Sequence, residues 1–72
     1  MEEIEMYSVV ALLRDKPEHH LVRGQVGTIV EQWAPGVYIV DFVDNDGYTY
    51  ALETLRSDEL ILLHHRPIER VA

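Results

Sequence analysis

A chain of 72 residues, 47% hydrophobic and 26% charged, is enough for one domain near the lower size limit for a self-supplied core. It has no cysteine, which excludes a disulfide framework and a thiolate metal site. Its net charge of -7, from 13 acidic residues against 6 basic ones, repels phosphate backbones and anionic lipid, and either attracts a basic partner or simply serves solubility.

The first five residues, Met-Glu-Glu-Ile-Glu, are acidic where a targeting peptide would be basic. The longest apolar run, residues 9–13, and the run at residues 60–63 are both too short to span a membrane. These features predict a soluble, cytoplasmic protein with no membrane partner.

Residues 1–7 begin polar, with Ile4 and Met6 as isolated apolar positions. Residues 7–13, rich in β-formers and too short for a stable helix, predict the first strand. Residues 14–20 read as a polar loop, in which Pro17 biases Lys16 towards an extended conformation. The organising stretch follows at residues 21–31, Leu-Val-Arg-Gly-Gln-Val-Gly-Thr-Ile-Val-Glu. Glycine tolerates backbone angles and close approaches that other residues do not, so Gly24 and Gly27 mark a tight turn running into a second strand, residues 25–33. Thr28, Ile29 and Val30 are stiff at χ1 and favour the pleated conformation.

Pro35 and Gly36 suit the central positions of a type II turn. Residues 37–43 form the third strand, with Tyr38, Val40 and Phe42 on one face. Val37, Ile39 and Val43 lie opposite, interrupted by Asp41; two apolar faces suggest a sheet covered on both sides or a strand shared between two halves of a barrel. Asp44-Asn45-Asp46-Gly47 is a turn between β-rich runs, followed by a fourth strand at residues 48–52. Residues 53–59 are more polar, with Leu55 pointing inwards and Ser57 capping a single helical turn. Residues 60–63 make the fifth strand; an ordered core of about residues 7–64 leaves 65–72 as a loose tail.

Five short strands, a long first loop, two tight hairpins and a helical turn before the last strand predict an all-β fold. The expected form is a small five-stranded barrel, a single domain over residues 1–72, whose closure would remove the exposed edge of residues 60–63. The pattern Gly24, Gly27, Ile29, then Tyr38, Val40, Phe42, then Ser57-Asp58-Glu59-Leu60 resembles the SH3-like barrel. Within that fold, residues 7–63 resemble a family of small uncharacterised bacterial proteins, common in cyanobacteria and classed as a domain of unknown function. The resemblance is carried by Val9-Val10-Ala11-Leu12, by Gly24 through Glu31, by Val40-Asp41-Phe42 and by Asp58-Glu59-Leu60. It implies a fold and brings no catalytic residues, and a fold alone does not decide function.

Five constellations compete as sites. Aligning Gly47 with the glycine of an EF-hand loop puts Asp44, Asp46 and Glu53 at ligand positions, but Phe42 then takes the first one, and turn chemistry accounts for the same residues. In His19-His20 and His64-His65, adjacent side chains on a strand diverge; one histidine from each pair, with a carboxylate, would hold zinc only if the first loop folded over the last strand. Ser8 and Ser57 lack a nucleophile elbow, so no enzyme and no cofactor is expected. Gly24-x-x-Gly27 lacks the lysine and helix of a phosphate loop; it is similar to the strand of KOW-type RNA-binding barrels, yet only Lys16 and Arg23 lie near it.

The fifth constellation is aromatic. Trp33, Tyr38, Tyr48 and Tyr50 lie on or beside hairpins, and SH3-like barrels often bind extended peptides in aromatic grooves fringed by acids, here Glu31, Asp41, Asp44 and Asp46. Tyr38 and Tyr50 read as core residues with the hydroxyl at the rim, which leaves Trp33 and Tyr48 with the four acids as the partner-binding set. The function expected is a non-catalytic protein-binding module for a basic or extended segment, such as an antitoxin- or immunity-like partner of a neighbouring gene product. The alternatives are an accessory subunit that caps an enzyme and a KOW-like nucleic-acid-binding barrel.

Overall fold

Period-two alternation and turn residues divide this chain into short strands that return antiparallel to one another. The computed structural model describes residues 4–64. Its strands are β1 (Val9–Leu12), β2 (Val26–Ala34), β3 (Val37–Val43), β4 (Thr49–Arg56) and β5 (Leu60–Leu62). Two 3-10 turns join them, η1 (Pro17–His19) in the first loop and η2 (Ser57–Glu59) just before β5. All strands belong to one antiparallel sheet in the order β4-β3-β2-β1-β5.

The expected all-β fold with five strands and a helical turn before the last is present, but the sheet is not closed. η2 carries the chain from the β3 side of the sheet to the β1 side, so β4 and β5 end up as opposite edges. The closure expected to cover the fifth strand is therefore not made. The tail expected at residues 65–72 lies outside the described residues.

The core gathers on one face. Tyr38, Val40 and Phe42 of β3 are buried, and Val10, Leu12, Ile29, Leu55 and Leu60 pack with them. Each such side chain contributes about 1.5–3 kcal/mol by leaving water. Val37, Ile39 and Val43 on the opposite face are only half-buried, so the double cover suggested by their apolar character is not formed.

Gly27 sits in the inner layer, paired with Phe42 on one side and Val10 on the other. A Cβ at this position would lie 2.5 Å from Cγ1 of Val40 and 3.1 Å from the Asp41 carbonyl oxygen, so only glycine lets the two strands approach. Gly36, at φ +74°, occupies the Pro-Gly turn between Ala34 and Val37, where a side chain would be strained.

The first strand is shorter than the expected residues 7–13, covering Val9–Leu12, and three further features differ from those expected. β4 runs on to Arg56, because Leu55 pairs with Tyr38 and joins the core, which keeps Glu53 and Thr54 in the ladder. The first loop is not wholly polar in its role: Lys16 and Leu21 exchange backbone hydrogen bonds of 2.8 and 3.1 Å around η1, and Leu21 drops into the core. η2 is closed by the carboxylate of Glu59, which accepts the Arg56 N–H at 3.0 Å, in place of the Ser57 hydroxyl.

Candidate functional site

The Pro35-Gly36 turn and η2 meet at one end of the sheet, where the Ser57 N–H donates to the Gly36 carbonyl at 2.8 Å. β5 leaves from this junction along the unclosed side. An open groove of about 590 Å³ lies there, with Ile4, Pro35, Tyr38, Leu60, Ile61 and Leu62 as its apolar lining. Gln32, Ser57 and Asp58 supply its polar atoms, and Asp58 is the only carboxylate among the described residues that line it.

Trp33 lies in sequence between the groove residues Gln32 and Pro35 and is not itself part of the lining. The β2–β3 register shifts between Gln32 and Ala34, which leaves Trp33 as an extra residue between paired neighbours. A bulge of this kind re-aims a side chain, and Trp33 is 69% exposed. A second shift, between Ile29 and Glu31, leaves Val30 unpaired and adds to the bend of β2.

The remaining residues of the expected partner-binding set are not assembled around Trp33. Glu31 is exposed opposite Ile39, two positions from Trp33 along β2. Asp41 is half-buried towards the other end of β3, and its carboxylate accepts the Thr49 hydroxyl at 2.7 Å. Asp44 builds the β3–β4 turn: its Oδ1 accepts the N–H groups of Asp46 and Tyr48 at 2.9 and 3.0 Å, and the Gly47 N–H donates to its carbonyl. Asp46 and Tyr48 are exposed on that turn. The seven residues of β3 separate this turn from Pro35-Gly36, a span of roughly 23 Å at about 3.3 Å per residue. The single acidic, aromatic face divides into two sites at opposite ends of the sheet.

Two tyrosines read alike from the sequence behave differently. Tyr38 is buried in the core and also lines the groove. Tyr50 is 47% exposed, because the register shift between Phe42 and Val43 leaves it unpaired; its hydroxyl accepts from the Gln25 side chain at 3.2 Å.

The strongest polar arrangement was not legible in the sequence. Glu59 is buried, and its carboxylate receives the Lys16 ammonium as well as the Arg56 N–H. Burial by itself raises the Glu59 carboxyl, but those two donors and the positive charges of Lys16 and Arg56 bring it below the ordinary value. Arg56 makes a second, exposed ion pair with Asp58 at 3.0 Å, and Asp58 is the main cause of its raised pKa.

Glu53 faces His19 of η1 at 3.2 Å and not Asp44 and Asp46, so the calcium-loop trio is not brought together. Among the described residues no three histidine, aspartate or glutamate side chains are grouped to hold a metal. Of the zinc candidates, His64 is exposed, and His65 lies outside the described residues.

Residues 6–62 match the model of a family described as Domain of unknown function (DUF4926), over the same segments that carry the resemblance seen in the sequence. No curated protein and no solved structure shows a significant match.

Proposed function

We propose that this chain, which belongs to the DUF4926 family, is a non-catalytic module that docks an extended, basic segment of a partner protein in the groove beside β5. The observation that carries the reading is the groove itself: a concave, mostly apolar surface left open by the unclosed sheet, with the exposed Trp33 on the segment of chain that joins Gln32 to Pro35 of its lining. The exposed Glu5 next to Ile4 and the net charge of -7 favour a cationic partner over a nucleic acid.

The same reading takes the sheet as an SH3-like barrel opened at β5, a likeness supported by the strand order and by η2 before β5. It takes the protein as bacterial and cytoplasmic. The specific form is an antitoxin- or immunity-like partner of a neighbouring gene product.

Site-specific photo-crosslinking in cells tests the reading. A photoactivatable residue at Ile61, in the groove, should capture one discrete protein. The same group at Leu52, exposed on β4 and outside the groove, should not. Trp33→Ala should lower the Ile61 yield while leaving the melting temperature nearly unchanged, since surface substitutions usually shift stability by less than about 0.5 kcal/mol. Equal capture from both positions, or recovery of RNA, would refute it.

A further inference from the structure

We propose that the partner segment enters this groove as an added β-strand, hydrogen-bonded to the free edge of β5 at Leu62. The inference rests on the groove being the binding site and concerns how the segment is held. Leu60, Ile61 and Leu62 are consecutive on a strand, so their side chains alternate between faces, yet all three line the groove. What three consecutive strand residues share is the strand's edge.

The hydrogen-bond pattern shows which backbone groups that edge presents. The Leu63 N–H donates to the Val9 carbonyl at 2.9 Å, and the Leu13 N–H donates to the Glu59 carbonyl at 2.9 Å. Between these bonds lies the pair Ala11 and Ile61. Residues 59, 61 and 63 therefore turn their backbone groups towards β1, and Leu60 and Leu62 turn theirs away. The Leu60 N–H closes η2 on the Ser57 carbonyl. The Leu60 carbonyl and both backbone groups of Leu62 remain on the outer edge, where β5 has no second strand among the described residues. Acceptor, donor and acceptor in that order are what an incoming strand pairs with.

An edge of three residues holds a strand weakly by its backbone alone, so side chains must add to the binding. The lining from Leu60, Leu62 and Tyr38 accepts apolar side chains at alternate positions of the segment. Asp58 on the lining is already paired with Arg56, so it is the exposed Glu5, next to Ile4 of the lining, and the net charge of -7 that favour basic residues in the segment. A second copy of this chain would bring another charge of -7 to the same edge, which favours a separate, cationic partner.

A synthetic heptapeptide, Lys-Val-Thr-Val-Thr-Val-Lys, tests the proposal by NMR on the full chain. Binding should slow amide hydrogen exchange at Leu62 by roughly tenfold or more, while Ile61, already bonded to β1, changes little. An analogue with one central backbone N-methyl group should bind roughly tenfold more weakly, the loss expected for one hydrogen bond. Leu62→Pro should weaken the parent peptide similarly; its ladder to β1 does not use that N–H, and the variant's unchanged β1 exchange would show that the sheet is intact.

Binding of the N-methylated analogue as tightly as the parent would overturn strand addition while leaving the groove as the site. Failure of the parent peptide to bind at millimolar concentration would also overturn it, and the Ile61 crosslink would then decide separately on the groove. Protection of Leu62 that rises with protein concentration alone, with a doubled sedimenting mass, would assign the edge to a second copy and overturn it as well. Equal binding of a glutamate-flanked peptide would refute the basic character of the partner.

Discussion

The ammonium of Lys16 meets the buried carboxylate of Glu59, and this contact ties the first loop to the turn that launches β5. The same carboxylate accepts the Arg56 N–H, so one side chain closes η2 and anchors Lys16 next to the core residue Leu21 by way of their mutual backbone bonds. Removing it leaves a partly buried ammonium and an unsatisfied N–H. Glu59→Ala should therefore destabilise the protein by about 2–3 kcal/mol, and Glu59→Gln, which keeps an acceptor for Arg56, by less. Urea unfolding of both variants checks the order; equal losses would show that the ion pair, and not the cap, carries the effect.

Glu59 also sets an expectation for pH. Its folded carboxyl ionises below the ordinary value, so the unfolded state binds this proton more tightly than the folded one. The stabilisation is fully present above the unfolded value of about 4.3 and is lost as pH falls through the lower folded value. Stability measured in urea from neutral pH down to about pH 3 should fall for the parent, and less steeply for Glu59→Gln. Identical acid limbs would remove Glu59 from the account.

Gly27 leaves no room for a Cβ between β2 and β3 in the sheet's interior. Gly27→Ala places a Cβ against Val40 and Phe42, and the Asp41 carbonyl, a backbone atom, has little room to yield. The expected loss is on the order of 1–3 kcal/mol, and Gly27→Val should lose more. Thermal melts equal to the parent's would mean that β2 and β3 can part without cost.

Asp44 is a turn-builder. Asp44→Ala removes the acceptor for the Asp46 and Tyr48 N–H groups and should cost about 1 kcal/mol. Asp44→Asn keeps that acceptor and should melt close to the parent. Neither variant should change the Ile61 crosslink, since the β3–β4 turn lies at the other end of the sheet from the groove. A loss of capture in Asp44→Asn would return this turn to the interface.

The all-β class, the third strand and both hairpin turns were legible in the sequence because they are encoded locally. Alternation at Tyr38, Val40 and Phe42 marks the buried face, and Pro35-Gly36 and Asp44 through Gly47 carry their own turn chemistry. Gly27 was legible only in part: the sequence marked it as a glycine that allows a close approach but placed it with Gly24 in a tight turn. Of the two, Gly24 alone takes a positive φ, and Gly27 lies inside β2, paired on both sides. Strand length was less so: nothing local distinguishes Glu53 and Thr54 in a ladder from the same residues in a loop.

Only the tertiary structure decided which strands became edges, and with them where the groove opens. That outcome depends on η2 sending β5 to β1 and away from β4, a choice between partners distant in sequence. The burial of Glu59 follows from its meeting with Lys16, more than forty residues earlier. The separation of Trp33 from Asp44 and Tyr48 follows from the length and register of β3, and the exposure of Trp33 and Tyr50 from shifts in pairing that neither residue announces. Side-chain alternation belongs to the single strand. Edges, bulges and grooves belong to pairs of strands, so they appear only once the sheet is assembled.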